Sequence, residues 1–440
     1  MKYKLALVFA SFLVACLFAE IGLRVLKLPR TMRPMHGDDF EWDRGGAIWD
    51  RATFFRTKPG WSGVRRTKHD ETDGIRDVAV SYNSYGMRGP EIGAKTRPRL
   101  LLLGDSVIQA FEVRDPDVIS QVFNRLPEGK SAEAMQMGTS SWSPIQEFSW
   151  FRHFAAPLEI DRVYLFVCPN DFFSYASSSQ EDIYHQAFYS YDKDGYPLKR
   201  RGVDPVFPAF FLKSAVARAV EKPLHYLVNR FDQQCMTLKT LANAPLPREE
   251  KIRRVVHKLR TGRRPYPAPV APEVLARMDK YIYSDRIPDG HRDWADIALT
   301  LMPSEEWDGE LKQGADATLT MIARFSEYLK KDGKELVVVW ANFGPEIDAF
   351  ENTGKRDQSH LREGRFFPNA GITAYVEKFC AGSGLRFLNT GEALRKYKEA
   401  TCKNCPDYLH YKVDGHWNER AQAVVAKLIA GDVRRHPLKI

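Results

Sequence analysis

Two kinds of apolar run alternate along this chain. Leu100–Leu103 is continuously apolar and ends at Gly104, the pattern of a strand buried on both faces. Ala134–Met137, Val163–Val167 and Leu336–Val339 repeat that pattern, and Leu385–Leu388 is a weaker copy. Between them lie stretches of helical periodicity. Met321, Ile322, Phe325 and Leu329 recur at helical spacing within Ala317–Lys331. Ala374–Cys380 is a second such stretch, and Glu419–Ile429, with Val424, Val425 and Leu428 to one side, is a third. Short apolar strands alternating with amphipathic helices predict an α/β domain whose central parallel sheet carries helices on both faces.

Three segments depart from that rhythm. Leu5–Leu23 is apolar except for Glu20, is preceded by Lys2 and Lys4, and is followed by Arg24, Lys27 and Arg30. As a helix it would rise about 28 Å, close to the hydrocarbon thickness of a bilayer. Residues 1–27 therefore read first as a signal anchor forming a membrane helix. Leu13-Val14-Ala15-Cys16 also fits a lipidation site at Cys16, and ordinary signal cleavage is the third reading. Basic residues flank both ends, so the charge bias alone does not orient the segment. Residues 28–96 are polar and turn-rich, and predict an extended lead-in packed on the main domain. Residues 97–440 form that domain, interrupted at about 175–300 by an aromatic, proline-bearing insertion that could overhang the active site. No internal repeat stands out.

Composition narrows the class. The chain has 440 residues, 44% hydrophobic and 28% charged, which suits a globular core. Its net charge of +9 arises from 65 Lys and Arg against 56 Asp and Glu, and favours an anionic partner without choosing among membrane lipid, acidic polysaccharide and nucleic acid. The chain contains no zinc-finger spacing, no RNP-like motif and no Walker loop. The basic run Arg248–Arg264 is more simply a solvated helix face, so nucleic acid is not an expected partner. Cys402 and Cys405 form a lone CxxC with no second pair for a zinc site; a small disulfide loop and two free thiols both remain open.

The chemistry gathers at the ends of the predicted strands. Gly104-Asp105-Ser106 leaves the first strand at the carboxyl edge of the sheet, where open α/β sheets bind ligands. Gly138 follows the second strand, where a glycine would let a backbone N–H approach a substrate. Asn170 and Asp171 follow the third, and the Asn170 amide can donate a hydrogen bond. Far along the chain, Asp414-Gly415-His416 precedes the last helix, with Asn418 as its expected N-cap. A serine hydroxyl needs a base, and that base needs a carboxylate to fix its tautomer. Each element taken alone is an ordinary turn or cap; taken together they supply a nucleophile, oxyanion donors and a base.

This arrangement resembles the SGNH/GDSL hydrolase superfamily of lipases, esterases and carbohydrate acetyltransferases. The resemblance covers roughly residues 83–174 and 316–430 and leaves the insertion unaccounted for. It implies a flavodoxin-like three-layer α/β/α sandwich, with Ser106 as nucleophile and Asp414 and His416 completing the triad. The N–H groups of Ser106 and Gly138 and the Asn170 side chain would form the oxyanion hole. Asn83-Ser84-Tyr85-Gly86-Met87-Arg88-Gly89 is similar to the lead-in of anchored bacterial members, which implies a single-pass inner-membrane protein with a periplasmic catalytic domain. Three features depart from the family pattern. Val107 replaces a leucine, Cys168 replaces a glycine, and Asp414 and His416 are separated by one residue instead of two. The shorter spacing resembles alginate O-acetyltransferase-like members.

The expected function is thus a serine esterase or O-acyltransferase working on acyl, chiefly acetyl, esters of an extracytoplasmic carbohydrate, with no metal and no organic cofactor. The alternative is an inactive glycan-binding or assembly protein on the same fold, to which the cysteine at 168 is the one pointer. Trp142, Phe148, Trp150, Phe172, Phe173 and Tyr175 could line a sugar site but more simply fill the core.

Overall fold

A computed structural model describes residues 46–50, 52–70, 74–172, 189–200, 301–307, 309–342, 344–347, 370–401, 409–411 and 415–438, with residues 11, 14–22, 216, 220, 224, 248, 249, 252, 253, 256 and 367 besides. The strands are β1 (Ala47–Asp50), β2 (Phe54–Thr57), β3 (Ser62–Asp70), β4 (Gly74–Ser81), β5 (Arg99–Gly104), β6 (Glu133–Gly138), β7 (Arg162–Val167), β8 (Tyr189–Tyr191), β9 (Pro197–Arg200), β10 (Glu335–Trp340) and β11 (Arg386–Asn389). The helices are α1 (Ser106–Gln109), α2 (Ile119–Arg125), α3 (Pro144–Phe154), α4 (Gly309–Lys331), α5 (Gly371–Gly382), α6 (Thr390–Thr401) and α7 (Glu419–Arg435).

The central sheet has five strands in the order β11-β10-β7-β5-β6, and every neighbouring pair is parallel. All five strands coincide with the apolar runs. Their side chains alternate between two cores, as a strand covered on both faces requires. Leu101, Leu103, Val163, Leu165, Val338 and Trp340 enter one core with Phe148 and Trp150 of α3, Phe325 of α4 and Val376 of α5. Leu100, Leu102, Tyr164, Phe166, Val337 and Val339 enter the other with Phe123 of α2, Leu394 of α6 and Val425 of α7. This is the α/β/α layering expected from the sequence, with the strand order reversing between β5 and β7 on one side and β5 and β6 on the other. In open α/β sheets such a reversal marks, at the carboxyl ends of the strands, the place where ligands bind.

The lead-in is more regular than its sequence suggests. β1 pairs with β2 and β3 with β4, each as an antiparallel ribbon. β3 reads Ser-Gly-Val-Arg-Arg-Thr-Lys-His-Asp, so it has no apolar alternation to announce a strand. Only β4 shows a period of two, with Val78 and Val80 buried and Ala79 exposed between them. The first ribbon docks on α3 and the turn before it through polar contacts: Trp142 Nε1 donates to the Phe55 carbonyl at 2.8 Å, and Gln146 Nε2 donates to that of Thr53 at 3.0 Å.

Among the described residues no helix is long and apolar enough to cross a membrane. Most of the predicted signal anchor lies outside them. So does most of the 175–300 insertion, whose described part includes the β8–β9 ribbon held to Arg152 of α3 through Asp192 and the Pro197 carbonyl. Cys402, Cys405, Phe173 and Tyr175 are likewise outside. Trp142, Phe148, Trp150 and Phe172 are all buried, which makes them core residues.

Candidate active site

Ser106 is the first residue of α1 and leaves β5 directly. Asp105 caps this short helix, its Oδ1 accepting the Val107 N–H at 2.9 Å. Ser106 stays half-buried while Asp105 is enclosed. Neighbours on both sides pin α1. The Gln109 side chain donates to the Tyr82 hydroxyl at 2.9 Å and accepts the Ser140 N–H at 2.8 Å. Arg88, buried beneath, donates to the carbonyls of Gln109, Ala110 and Val113 at 2.8–2.9 Å, and to Asp115 at 2.8 Å. A guanidinium spread over three carbonyls and a carboxylate fixes the turn that follows α1.

The base comes from the other end of the chain. His416 Nε2 lies 2.8 Å from Ser106 Oγ across 310 positions of sequence. The competing contact from Ser106 Oγ to Asp105 Oδ2 is 3.4 Å, so the imidazole is the closer partner of the hydroxyl. The loop is shaped for this. Gly415 has φ 87°, a value only glycine adopts freely, and its N–H donates to the Tyr411 carbonyl at 2.9 Å. Buried Trp417 meets Phe166 edge-on and holds the loop against the sheet. Asn418 is the N-cap of α7, accepting from the N–H groups of Arg420 and Ala421. Phe111 meets the imidazole edge-on at 6.0 Å between centroids, and the Arg65 guanidinium lies 4.8 Å above the Phe111 ring.

Asn170 also reaches this cluster. Its Nδ2 donates to Asp105 Oδ2 at 3.1 Å, which leaves one amide hydrogen for a bound substrate. Asp171 steadies the turn by accepting the Cys168 N–H at 2.8 Å. Cys168 is buried, and its thiol donates to Asp105 Oδ2 at 3.3 Å. Burial, with the Asp105 and Asp171 carboxylates beside it, pushes this thiol well above its ordinary pKa, so it stays protonated and inert as a nucleophile. The thiol that replaces a glycine here lies nearest Asn170 Oδ1, at 2.5 Å, and so packs against the amide whose Nδ2 reaches Asp105.

Gly138 ends β6 opposite Gly104, and packing gives a second reason for a glycine there. A Cβ placed there would lie 2.3 Å from the Gln109 nitrogen and 2.6 Å from the Asp105 carbonyl oxygen. The missing side chain makes room for α1 itself. Gly138→Ala is expected to push α1 and Ser106 outward. An outward shift near 1 Å would lower kcat by about 100-fold, and the overpacking would cost roughly 1–3 kcal/mol. Steady-state kinetics and thermal unfolding measure the two effects separately. Ala110 and Ser141, which follow α1 and β6, have φ 47° and 65°, so two of the three non-glycine positive-φ residues among the described residues flank the site.

Asp414 lies outside the described residues. Among the described residues Glu112 brings a carboxylate to His416, its Oε1 lying 3.4 Å from Nδ1 and its side chain 0% exposed. Sequence reasoning passed over Glu112. Its only signal was an acid within the otherwise apolar Ala110-Phe111-Glu112-Val113, six positions after the nucleophile. Among the described residues no group of three or more His, Cys, Asp or Glu is placed to hold a metal ion.

No protein-family model matches this chain, and no curated protein sequence matches it. Solved structures do. An acetyl xylan esterase is 10% identical, covers 76% of this chain and 99% of its own, and has a TM-score of 0.34. An acetylxylan esterase from Geobacillus stearothermophilus, solved as a catalytic mutant, is 9% identical, with 79% and 97% covered and a TM-score of 0.33. An alpha/beta hydrolase from the metagenome of Lake Arreo, Spain, is 11% identical, with 76% and 94% covered and a TM-score of 0.31.

Proposed function

We propose that this chain is a serine esterase or O-acyltransferase that works through an acyl-Ser106 intermediate. The observation that carries the reading is the 2.8 Å approach of His416 Nε2 to Ser106 Oγ at the carboxyl edge of a parallel sheet. In the first half-reaction Ser106 Oγ attacks the acyl carbon while its proton passes to Nε2, which then delivers it to the departing alcohol. The Ser106 and Gly138 N–H groups and the second hydrogen of the Asn170 amide would meet the developing oxyanion, each worth about 3 kcal/mol of transition-state stabilisation in such sites. In the second half, water or a sugar hydroxyl attacks the acyl-enzyme, so hydrolysis and transfer share one intermediate. A nucleophile and base in hydrogen-bond reach favour turnover over binding alone.

The acyl group is taken as acetyl and the acceptor as an extracytoplasmic carbohydrate, with residues 1–27 tethering the protein to the inner membrane. What supports this is the apolar N-terminus, the net charge of +9 and the Arg65–Phe111 pair at the rim of the site. The test is turnover of p-nitrophenyl acetate together with stoichiometric labelling by a serine-directed phosphonate. Adding acetyl-accepting oligosaccharides then shows whether p-nitrophenol release is matched by acetate or by acetylated sugar. Absence of both turnover and labelling would remove the enzyme reading and leave a glycan-binding protein.

A further inference from the structure

We propose that Glu112 is the carboxylate that orients His416, so that the nucleophile and the residue positioning its base come from one short stretch of chain. The proposal rests on the acyl-Ser106 reading and deepens it. Glu112 Oε1 sits 3.4 Å from His416 Nδ1, on the opposite side of the ring from Ser106. That is long for a finished hydrogen bond and within ion-pair reach, and such contacts commonly tighten only in the substrate complex.

The surrounding structure holds Glu112 in place. Ala110 takes a left-handed conformation at the end of α1 and turns the chain back, with the Val113 N–H donating to the Ala110 carbonyl at 3.0 Å. Arg88 grips the carbonyls on both sides of Glu112, those of Ala110 and Val113. Tyr411, beside the His416 loop, places its hydroxyl 3.3 Å from the Glu112 carbonyl oxygen and 2.9 Å from Glu419 Oε2. Tyr411 also packs against Ala110 and Val113, while its N–H donates to the His416 carbonyl at 2.8 Å. One residue thus latches the segment bearing the carboxylate to the loop bearing the base.

A fully enclosed carboxylate is costly to maintain unless a polar or cationic partner faces it. Here the imidazole faces it. Glu112 would accept a hydrogen bond from Nδ1–H, fixing the tautomer that leaves Nε2 free to take the Ser106 proton. It would then stabilise the imidazolium that forms as Oγ bonds to the acyl carbon. The proton on Nε2 leaves with the alcohol as the ester C–O bond breaks, and Glu112 remains ionised throughout.

The test uses the full-length chain and its Glu112→Gln and Asp414→Asn variants. It reads kcat and KM for p-nitrophenyl acetate, folding by circular dichroism, and the downfield proton resonance of His416 Nδ1 in the phosphonate-labelled protein. Folded Glu112→Gln is expected to lose on the order of 10³- to 10⁴-fold in kcat with little change in KM, and to lose the downfield resonance. If Glu112→Gln does not fold, Glu112→Asp, which keeps the charge but withdraws it, serves instead: kcat falls and the resonance moves upfield. A folded Glu112 variant that keeps both kcat and the wild-type resonance overturns the proposal, most clearly if Asp414→Asn loses both. A wild type that neither turns over nor labels would instead overturn the esterase reading, so the two failures are distinct.

Discussion

Ser106→Ala is expected to lower kcat for p-nitrophenyl acetate by about 10⁴- to 10⁶-fold, and His416→Ala by a similar factor. The hydroxyl and the imidazole act as one unit, since Ser106 Oγ is a poor nucleophile until Nε2, 2.8 Å away, accepts its proton. Removing either partner disables the other. The double variant Ser106→Ala with His416→Ala should therefore be hardly worse than either single one, whereas two independent contributors would multiply their losses. Phosphonate labelling gives a second reading. Ser106→Ala offers no oxygen to label, while His416→Ala keeps the oxygen and should label far more slowly. Both side chains are short of full burial, so neither truncation opens a closed core cavity, and unfolding midpoints near that of the wild type are expected. A His416→Ala enzyme within tenfold of wild type would mean that another base serves Ser106. A Ser106→Ala enzyme with wild-type turnover would mean that the nucleophile lies elsewhere.

How much of this was legible in the sequence depended on whether local pattern or tertiary placement set each feature. The five strands were legible because a strand covered on both faces is apolar throughout, as Leu100–Leu103 and Val163–Val167 are. Ser106, Asn170 and His416 were legible as residues at the ends of such strands or just ahead of the last helix. The structure brings all three to Asp105 or to one another. The β3–β4 ribbon was not legible, because its outer strand is polar and its pairing is supplied by β4 and by Ser81 binding Asp115. Glu112 was missed for the opposite reason. An acid in a short apolar segment looks like a solvent-facing interruption until the left-handed turn at Ala110 points it inward. Gly138 was found as a strand-end glycine, but a second need for it was not legible. Only the packing shows that α1 fills the space a side chain would take.

Arg88→Met is expected to destabilise the protein by about 3–5 kcal/mol, because it removes one side of a buried charged network and leaves the other side in place. The methionine fills a similar volume, so the loss would be one of hydrogen bonds and not of packing. The carbonyls of Gln109, Ala110 and Val113 would each lose a donor that no water can readily replace, since Arg88 is only 3% exposed. Asp115 would suffer less. Its side chain is 28% exposed and still accepts from the Ser81 N–H at 3.1 Å. Arg88→Lys should rescue little, because an ammonium is a point donor and cannot span three carbonyls and a carboxylate as the planar guanidinium does. The unfolding midpoint should fall by roughly 3–7 °C. At temperatures where the variant is still folded, kcat should fall as well, because the carbonyls held by Arg88 belong to the turn joining α1, which carries Ser106, to Glu112. Thermal unfolding followed by circular dichroism reads the first effect, and kinetics well below the midpoint read the second. A variant with an unchanged midpoint would show that the ribbon contacts alone hold the turn. One with a lowered midpoint but wild-type kcat would confine the clamp to stability and free the site from it.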